Sequence, residues 1–317
     1  MARLIDCTLR EGAQAPNVVW RIDQSIAIAR GLLEFGVDCI EAGHPSASNL
    51  EFDRTRALSQ LRRDIPLLAH ARAQIEDIRC VKAAGAEWVG IFAGVSEVSR
   101  NVKFRNRSLD EIIGLIETSI AFAKSIGLQV RFTLEDTSRT DWNLQGIAYR
   151  AAISKGADRI CFSDTVGVLT PTEARLSLQR LKSTFSQTPI EVHFHNDRGL
   201  ALANAVEVAP MVNWISTSVN GIGERCGITD TIAMRANLDF EQTRTLTADQ
   251  VDLSRKLSDV VSALGRNTIE DRLPIVGRYA FTHCADLHIK AFEKDVNAYC
   301  WLKDFDGQNT HRNVAVL

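Results

Sequence analysis

Short apolar runs, each ending in polar residues, recur through most of the chain. Most of them are followed by a segment in which apolar residues return at the spacing of an amphipathic helix. Strand-like runs that alternate with helix-like segments predict right-handed βαβ units and a parallel sheet. The eight runs are Leu4–Leu9, Val37–Gly43, Pro66–Arg72, Trp88–Gly94, Gln129–Asp136, Arg159–Thr165, Ile190–Asp197 and Trp214–Gly221.

Two of the helix-like segments begin with recognisable N-terminal signals. Ser108–Glu111 is a capping box, and Ile112, Ile116 and Ile120 then recur every four residues. Thr170–Glu173 opens another helix, with proline at the first helical position. Helices are therefore expected between the predicted strands.

Eight strand–helix units in sequence predict an α/β protein, a closed (β/α)8 TIM barrel of about 240 residues. An open, doubly wound sheet is the alternative. The pattern breaks after about residue 245, where Thr247–Gln250 opens a long helix. We predict a barrel domain over residues 1–245 and a short helical C-terminal extension over residues 246–317. The extension is expected to dock on the barrel or on a neighbouring subunit.

Composition narrows the class of protein. Apolar residues make up 45% and charged residues 24% of the chain, as in ordinary soluble globular proteins. The net charge of −2 argues against a nucleic-acid or membrane binder held by bulk charge. Seven cysteines without a repeated spacing are typical of free thiols in a reducing compartment, so a cytoplasmic location is expected. Apolar runs stay well short of about 18 residues, so neither a membrane span nor a signal peptide is expected.

Two predicted strands carry polar side chains on one face near their C-terminal ends. They are Arg131, Thr133 and Glu135 in the fifth strand, and Glu191, His193 and His195 in the seventh. Because the apolar face of a barrel strand meets the helices, these side chains must point into the lumen, near the rim where TIM barrels carry active sites. A buried network that only fixes packing is the alternative for either strand. Two such strands together favour a functional site.

His193 and His195 form an HxH pair that is able to bind a metal ion. Two residues apart on a strand, they lie on one face about 6.6 Å apart along the backbone, and their nitrogens can converge on one divalent ion. Two hydrogen-bonded core histidines are the alternative. Glu11, beside Arg10 where the first strand ends, is the candidate for a third ligand. A surface ion pair is the alternative for Arg10 and Glu11.

Several segments together resemble a known enzyme family. They are Leu4–Gln14, Glu41–Ser48, Arg131–Asp136, Asp164–Pro171, His193–Asp197, Gly221–Thr229 and Ala280–His288, followed by Tyr299. In this order they are similar to the homocitrate synthase and isopropylmalate synthase family, TIM-barrel enzymes that condense acetyl-CoA with a 2-oxo acid. The resemblance covers nearly the whole chain and is closer to homocitrate synthase.

The resemblance implies roles for particular residues. Glu11, His193 and His195 would bind a divalent ion such as Mg²⁺, Mn²⁺ or Zn²⁺, with acetyl-CoA as co-substrate. The catalytic residues would be Arg10, which stabilises the developing alkoxide, together with Glu135, His288 and Tyr299. Gln14 and Thr165 would contact the 2-oxo acid. His288 and Tyr299 match a pair on a lid that reaches into the neighbouring subunit's site, so a homodimer with shared active sites is expected.

The 2-oxo acid is expected to carry a second anionic group. Leucine-pathway members of the family lack arginine at the position of Arg131, and an inward guanidinium beside Thr133 suggests a distal anion. Glu135 is the alternative partner for Arg131. We favour 2-oxoglutarate, which would give homocitrate, with oxaloacetate, phosphonopyruvate, 2-oxoisovalerate and pyruvate as alternatives. The chain reaches Leu317 without the regulatory domain of leucine-pathway enzymes, so feedback inhibition through such a domain is not expected.

Two other functions fit a barrel of this kind. One is a lyase or aldolase that cleaves carbon–carbon bonds on the same metal barrel, and the other is a non-catalytic barrel used for binding or assembly. The cysteine-rich glycine loop expected of hydroxymethylglutaryl-CoA lyase is absent from the sequence, and the intact Arg10, Glu11, His193 and His195 argue against a non-catalytic barrel. Neither nucleic acid nor membrane is an expected partner.

Overall fold

The structure is a computed structural model that describes residues 2–61, 63–105, 107–241, 246–266, 268–301 and 312–313. Within these residues, eight parallel strands close into a barrel in chain order. β1 pairs with both β2 and β8, so Asp6 lies beside Ile40 on one side and Thr217 on the other. The predicted TIM barrel is confirmed and the open sheet is wrong. The strands are β1 Arg3–Asp6, β2 Cys39–Glu41, β3 Leu67–Arg72, β4 Trp88–Gly94, β5 Gln129–Glu135, β6 Arg159–Asp164, β7 Ile190–Phe194 and β8 Trp214–Thr217.

Helices surround the barrel and follow the strands in alternation. They are α1 Ile22–Phe35, α2 Asn49–Ser59, α3 Ile75–Ala83, α4 Leu109–Ser125, α5 Trp142–Ser154, α6 Pro171–Thr184, α7 Ala201–Val208 and α8 Thr231–Glu241. A capping box begins α4 at Ser108, as predicted, and α6 begins at Thr170 with the predicted proline at its first position and also with a capping box. Ile112, Ile116 and Ile120 are fully buried between α4 and the strands, which explains their spacing of four residues.

Several strands end before the predicted runs do. β1 ends at Asp6 and not at Leu9, because the Asp6 carboxylate accepts a hydrogen bond from the Thr8 amide at 2.9 Å and the chain turns there. β7 ends at Phe194 and β8 at Thr217. The polar residues that follow therefore lie in rim loops, where their side chains are not committed to the sheet.

The extension after the barrel begins with α9 (Ala248–Gly265), the long helix predicted from Thr247, and a capping box opens it. Its Leu257 packs on α1 at Gly31, where an added Cβ would lie 2.9 Å from the Leu257 Cδ1 atom. α10 (Asp286–Lys294) and a short pairing of β9 (Thr282–His283) with β10 (Arg312–Asn313) follow. The predicted division after residue 245 falls next to residues 242–245, which lie outside the described residues.

None of the helices in the described ranges has both the length and the apolar character needed to cross a membrane.

Candidate active site

Glu11, His193 and His195 come together at the C-terminal rim of the barrel. Their ligand atoms all lie within 4.8 Å of one another, and the three residues are buried. His193 projects from β7, while Glu11 lies in the turn after β1, where its amide donates to the Cys7 carbonyl at 2.7 Å. The Glu224 amide in the loop after β8 donates to Glu11 Oε1 at 3.2 Å and helps to fix the carboxylate.

The protonation states of these groups suit a divalent cation. Burial would raise the pKa of Glu11, but the Arg10 guanidinium lowers it below its usual value. Burial lowers the pKa of His193 to about 3, and it also lowers the pKa of His195. The site therefore presents a carboxylate and two neutral imidazoles, the forms that bind metal ions. His195 Nδ1 is buried without a hydrogen-bond partner among the described residues. The residues present thus fit a divalent metal.

Arg10 lies beside the proposed ligands. It forms ion pairs with Glu11 and, at 3.0 Å, with Glu41 Oε2. Its Nη1 atom also lies 3.4 Å from Gln14 Oε1. Arg10 is mostly buried, and the carboxylates on both sides hold its guanidinium at the edge of the open cavity. A fixed positive charge at this place is able to stabilise negative charge that develops on a bound molecule.

A cavity of about 340 Å³ opens above these residues. The residues that we predicted from the sequence and that line it are Arg10, Glu11, Gln14, Arg131, Thr133, Glu135, Thr165, His193 and His195. These residues come from several strand ends, as in other TIM-barrel sites. The structure thus brings together side chains that are widely separated along the chain, and the volume of the cavity suits a small molecule.

A column of alternating charges runs from the cavity down the barrel lumen, and we call it the charge column. Its members are, from the foot upward, Arg159, Glu191, Arg131, Glu41, Arg10 and Glu11. Neighbouring members of the column form ion pairs. From the Arg159–Glu191 pair at the foot up to the Arg10–Glu41 pair, their N···O distances are 2.8 to 3.0 Å. At the foot, the guanidinium carbon of Arg159 lies 4.8 Å from the Trp88 ring centroid and 4.4 Å from that of Trp214. Burial would raise the pKa of Glu41, but Arg10 and Arg131 hold it well below its usual range.

Arg131 does not pair with Glu135, the partner that its sequence position suggested. Its Nη1 atom lies 2.8 Å from Glu191 and its Nη2 atom 2.9 Å from Glu41. Glu135 instead forms an ion pair with Lys103, because the π-helical turn Ser99–Lys103 brings that amine over the end of β5. A guanidinium carries five N–H donors, so Arg131 keeps donors that these two hydrogen bonds leave unused.

Other cavity residues were missed by the sequence analysis. His44, His70 and Phe92 line the cavity, and His70 packs on Phe92 with ring centroids 4.7 Å apart. His70 Nε2 lies 3.9 Å from Glu41 Oε1, and burial together with Arg10 holds the pKa of His70 well below its usual value. The alternation of Leu68, His70 and Arg72 along the third strand was a signal for an inward His70.

Thr165 is held at the rim by the loops around it. Its Oγ1 atom accepts a hydrogen bond from the Asp136 amide at 2.8 Å, and its carbonyl accepts one from Arg225 at 2.7 Å.

Arg225 belongs to the glycine-rich loop after β8. An added Cβ on Gly227 of that loop, where φ is +78°, would lie 1.8 Å from the Gly221 carbonyl oxygen. Only glycine fits at this close approach.

His288 and Tyr299 lie away from this cavity in the single chain. Their rings contact each other in the extension, with centroids 4.2 Å apart, and both side chains are exposed. The described residues that line the cavity do not include either of them. The pair is thus assembled but has no contact with the proposed ligands of its own chain.

Comparisons with known proteins identify related sequences. The HMGL-like family model matches residues 2–262. The chain is 39% identical over 300 residues to the homocitrate synthase of Pyrococcus abyssi, covering 94% of this chain and 82% of that protein. It is 36% identical over 307 residues to that of Sulfolobus acidocaldarius, covering 94% of this chain and 64% of that protein.

Solved structures show the same fold at lower sequence identity. Hydroxymethylglutaryl-CoA lyase from Pseudomonas aeruginosa superposes with a TM-score of 0.73 at 19% identity, over 84% of this chain and 94% of that one. The lyase from Brucella melitensis gives a TM-score of 0.70 at 19% identity, over 84% of this chain and 99% of that one. These likenesses concern the barrel and not the reaction.

Proposed function

Because the chain belongs to the HMGL-like family, we propose that it is a metal-dependent acyltransferase that condenses acetyl-CoA with a 2-oxo acid and releases the thiol by hydrolysis. We further propose that the 2-oxo acid is 2-oxoglutarate and the product homocitrate, as the names of the archaeal relatives suggest. The observation that carries the proposal is the buried set of Glu11, His193 and His195 beside Arg10, open to a cavity of small-molecule size.

Glu11, His193 and His195 would hold the metal ion. When bound, a divalent metal polarises a ketone and fixes the face that the nucleophile attacks. Mg²⁺, Mn²⁺ and Zn²⁺ all accept a carboxylate with two imidazoles. Arg10 would donate to the ketone oxygen as negative charge develops on it, an interaction stronger in the transition state than in the ground state.

The charge column supports a substrate with two negative charges. Three guanidinium groups and three carboxylates cancel within the column, and the histidines at the site are neutral. A divalent cation adds two positive charges. A dianionic 2-oxo acid balances both of them, whereas a monoanionic 2-oxo acid leaves one positive charge uncompensated. Uncompensated buried charge is unfavourable. We propose that Arg131 and Thr133 face the distal anionic group, and that Gln14 and Thr165 contact the 2-oxo acid.

Proton transfer would require further groups. Glu135, at the cavity wall under Lys103, would take part in removing a methyl proton from acetyl-CoA. We propose His288 and Tyr299 as the other catalytic residues, supplied by the lid of a second subunit, because in the single chain their rings contact each other and not the cavity. The extension of each subunit of a homodimer would then complete the other's site.

Subunit complementation tests the shared site. An Arg10→Ala subunit and a His288→Ala subunit should each be inactive, yet verified mixed dimers should recover part of the activity, because one of their two sites is whole. Mixed dimers without activity would contradict the exchange of lids.

We also propose the organisation of the chain and its location. Residues 1–245 would form the catalytic domain and residues 246–317 the lid-bearing extension. The cysteines in the structure are free, in agreement with a reducing compartment such as the cytoplasm.

Thiol release from acetyl-CoA, measured with a panel of 2-oxo acids, tests the proposed function. 2-Oxoglutarate should give the highest kcat/KM, and mass spectrometry should identify homocitrate. A preference for 2-oxoisovalerate or pyruvate over each dianionic acid would contradict the proposed substrate. Cleavage of hydroxymethylglutaryl-CoA without condensation would favour a lyase.

A further inference from the structure

His44 lines the reaction cavity and is backed by a buried carboxylate. It lies in the loop after β2, and its ring centroid is 6.1 Å from that of Phe92. On the side away from the cavity, its Nε2 atom lies 3.1 Å from Asp77 Oδ2. Asp77 belongs to the first turn of α3 and is almost completely buried. The carbon–carbon bond formation proposed above uses neither residue.

The surroundings of Asp77 fix the tautomer of His44. Asp77 also accepts hydrogen bonds from Arg72 Nε at 2.7 Å, from Arg72 Nη2 at 2.8 Å and from the Arg72 amide at 3.1 Å. Burial would raise the pKa of Asp77, but the hydrogen bonds from Arg72 and His44 hold it below its usual value. Because an ionised carboxylate only accepts, the proton of the neutral His44 ring is on Nε2.

The second nitrogen of the His44 ring is then a free acceptor. With the proton on Nε2, Nδ1 carries a lone pair, and it has no hydrogen-bond partner within the described ranges of the chain. The His44 side chain is 24% exposed, so water reaches it. An imidazole that a carboxylate orients from behind, with its other nitrogen open, is the arrangement that activates a nucleophile in many hydrolases.

The loop that carries His44 is fixed to the end of β1. The His44 amide donates to Glu51 Oε2 at 3.2 Å, and Arg54 Nη2 donates to the same oxygen at 2.7 Å. Arg54 Nη2 also donates to the Leu9 carbonyl at 2.8 Å, one residue before Arg10. His44 and Arg10 are therefore held at constant positions around one cavity.

We propose that His44 is the general base for hydrolysis of the thioester that the condensation leaves, an inference that rests on the proposed function. Nδ1 takes a proton from a water molecule as the water oxygen bonds to the thioester carbonyl carbon. The carbon–sulfur bond breaks, and the sulfur leaves with the electron pair and receives the proton from His44. Water and thioester thus give a carboxylic acid and a thiol. Asp77 is the positioning residue, because it holds Nε2–H and stabilises the imidazolium that forms.

Rapid-quench measurements with acetyl-CoA and the preferred 2-oxo acid test this assignment. His44→Ala should slow thiol release about a hundredfold or more, as expected for the loss of a general base. Carbon–carbon bond formation does not need this base, so the condensed acyl-CoA should accumulate on the variant and be detected by mass spectrometry. Added imidazole should restore part of the rate of His44→Ala and leave the wild type unchanged.

Asp77→Asn tests the positioning role. An amide is able to donate to Nε2 and so permits the wrong tautomer, and thiol release should slow by at least about tenfold while KM for the 2-oxo acid stays constant. The ¹⁵N spectrum of labelled histidine should show a bare Nδ1 on His44 in the wild type and a protonated fraction in the variant. Asp158→Asn is the matched control and should release thiol like the wild type. Its carboxylate also bonds a cation, Lys124, and an amide, that of Val130, but lies at the opposite end of the barrel.

The inference and the proposed function fail in different ways. Thiol release by His44→Ala at the wild-type rate would overturn the assignment of His44 and leave the proposed function standing. So would an equal slowing of condensation without any recovery in imidazole, or a wild-type His44 protonated at Nδ1. If the wild type releases no thiol from acetyl-CoA with any 2-oxo acid, the proposed function fails, and the role of His44 fails with it.

Discussion

The foot and the head of the barrel lumen contain the same kinds of buried charges but hold them differently. At the foot, Glu191 lies between Arg131 and Arg159 and accepts a third contact from Ser216 Oγ at 2.8 Å. At the head, Glu11 lies beside two neutral imidazoles and an open cavity. Strand β7 supplies both regions, because Glu191 and His193 are two residues apart on its inward face.

The difference separates packing from chemistry. At the foot, the two indole rings enclose Arg159, and neither Arg159 nor Glu191 lines the cavity. The head has a buried imidazole nitrogen without a hydrogen-bond partner and a guanidinium at the edge of the cavity. A buried polar network is therefore informative about function where it opens to a cavity.

The largest expected effect is at the head. Glu11→Gln should abolish metal retention after dialysis and lower kcat/KM by more than about a thousandfold, because the charged ligand is lost. The melting temperature should change little. Metal analysis and thiol release measure both effects. Glu224→Gln is the matched control, since its exposed side chain lies in the neighbouring loop after β8 and only its amide contacts Glu11. Full activity of Glu11→Gln after chelator treatment would contradict the proposed ligand set.

A substitution at the foot should lower the stability of the fold. Glu191→Gln leaves Arg131 and Arg159 without their shared carboxylate and should lower the free energy of unfolding by about 3–5 kcal/mol, as for other broken buried ion pairs. Urea unfolding measures this. Glu207→Gln, which removes the half-exposed partner of Arg175, should cost less than about 1 kcal/mol. Equal effects of the two changes would remove the distinction between foot and surface.

Arg131 lies where the two regions meet, and its substitution tests which region it serves. Arg131→Ala should reduce transition-state binding of 2-oxoglutarate by about 2–5 kcal/mol and that of 2-oxoisovalerate much less, because only the former has a distal anion. The ratio of the two kcat/KM values is the measurement. Arg159→Lys should lower stability without changing this ratio. An equal loss for both acids would assign Arg131 to the foot alone.

The smallest effect concerns a buried carboxylate without a guanidinium partner. Thr231 Oγ1 and the Thr8 amide donate to Asp6, and burial raises its pKa from 3.8 to about 6. Its stabilising contribution is therefore present below pH 3.8 and is lost as the pH rises through about 6.

Asp6→Asn mimics the protonated carboxyl. Relative to the wild type, it should gain about 1–3 kcal/mol of stability between pH 4 and pH 7. Thermal unfolding across this interval checks the difference. A constant difference would mean that Asp6 is ionised in the fold throughout.

Side-chain alternation within a strand was enough to predict much of the lumen. It placed Arg131, Thr133, His193 and His195 inward, and the structure places all four at the cavity. The partners of Arg131 were not predictable in this way, because Glu41 and Glu191 lie 90 and 60 residues away. Such pairs depend on strand order and register, which no local pattern contains.

Two further features could not be predicted from the sequence, for physical reasons. β2 is only Cys39–Glu41, too short for alternation to mark Glu41 as inward. The contact between Lys103 and Glu135 depends on a π-helical turn, which has no simple sequence signal. The position of His288 relative to a cavity depends on the lid, and that part of the prediction awaits the subunit experiment.

The packing of α9 on the outside of the barrel has a consequence for how the chain folds. β1 and β8 pair across about two hundred residues, so the barrel closes last, and both strands keep open edges until then. α9 contacts α1 through Leu257 and Gly31, and Ser258 bonds Asn220, just after β8, at 2.6 Å. From outside the barrel, α9 thus stabilises the junction where β1 pairs with β8. During synthesis this junction lacks the support of α9 until α9 has left the ribosome. For that whole interval the edges of β1 and β8 in the nascent barrel are exposed to association with other strand edges.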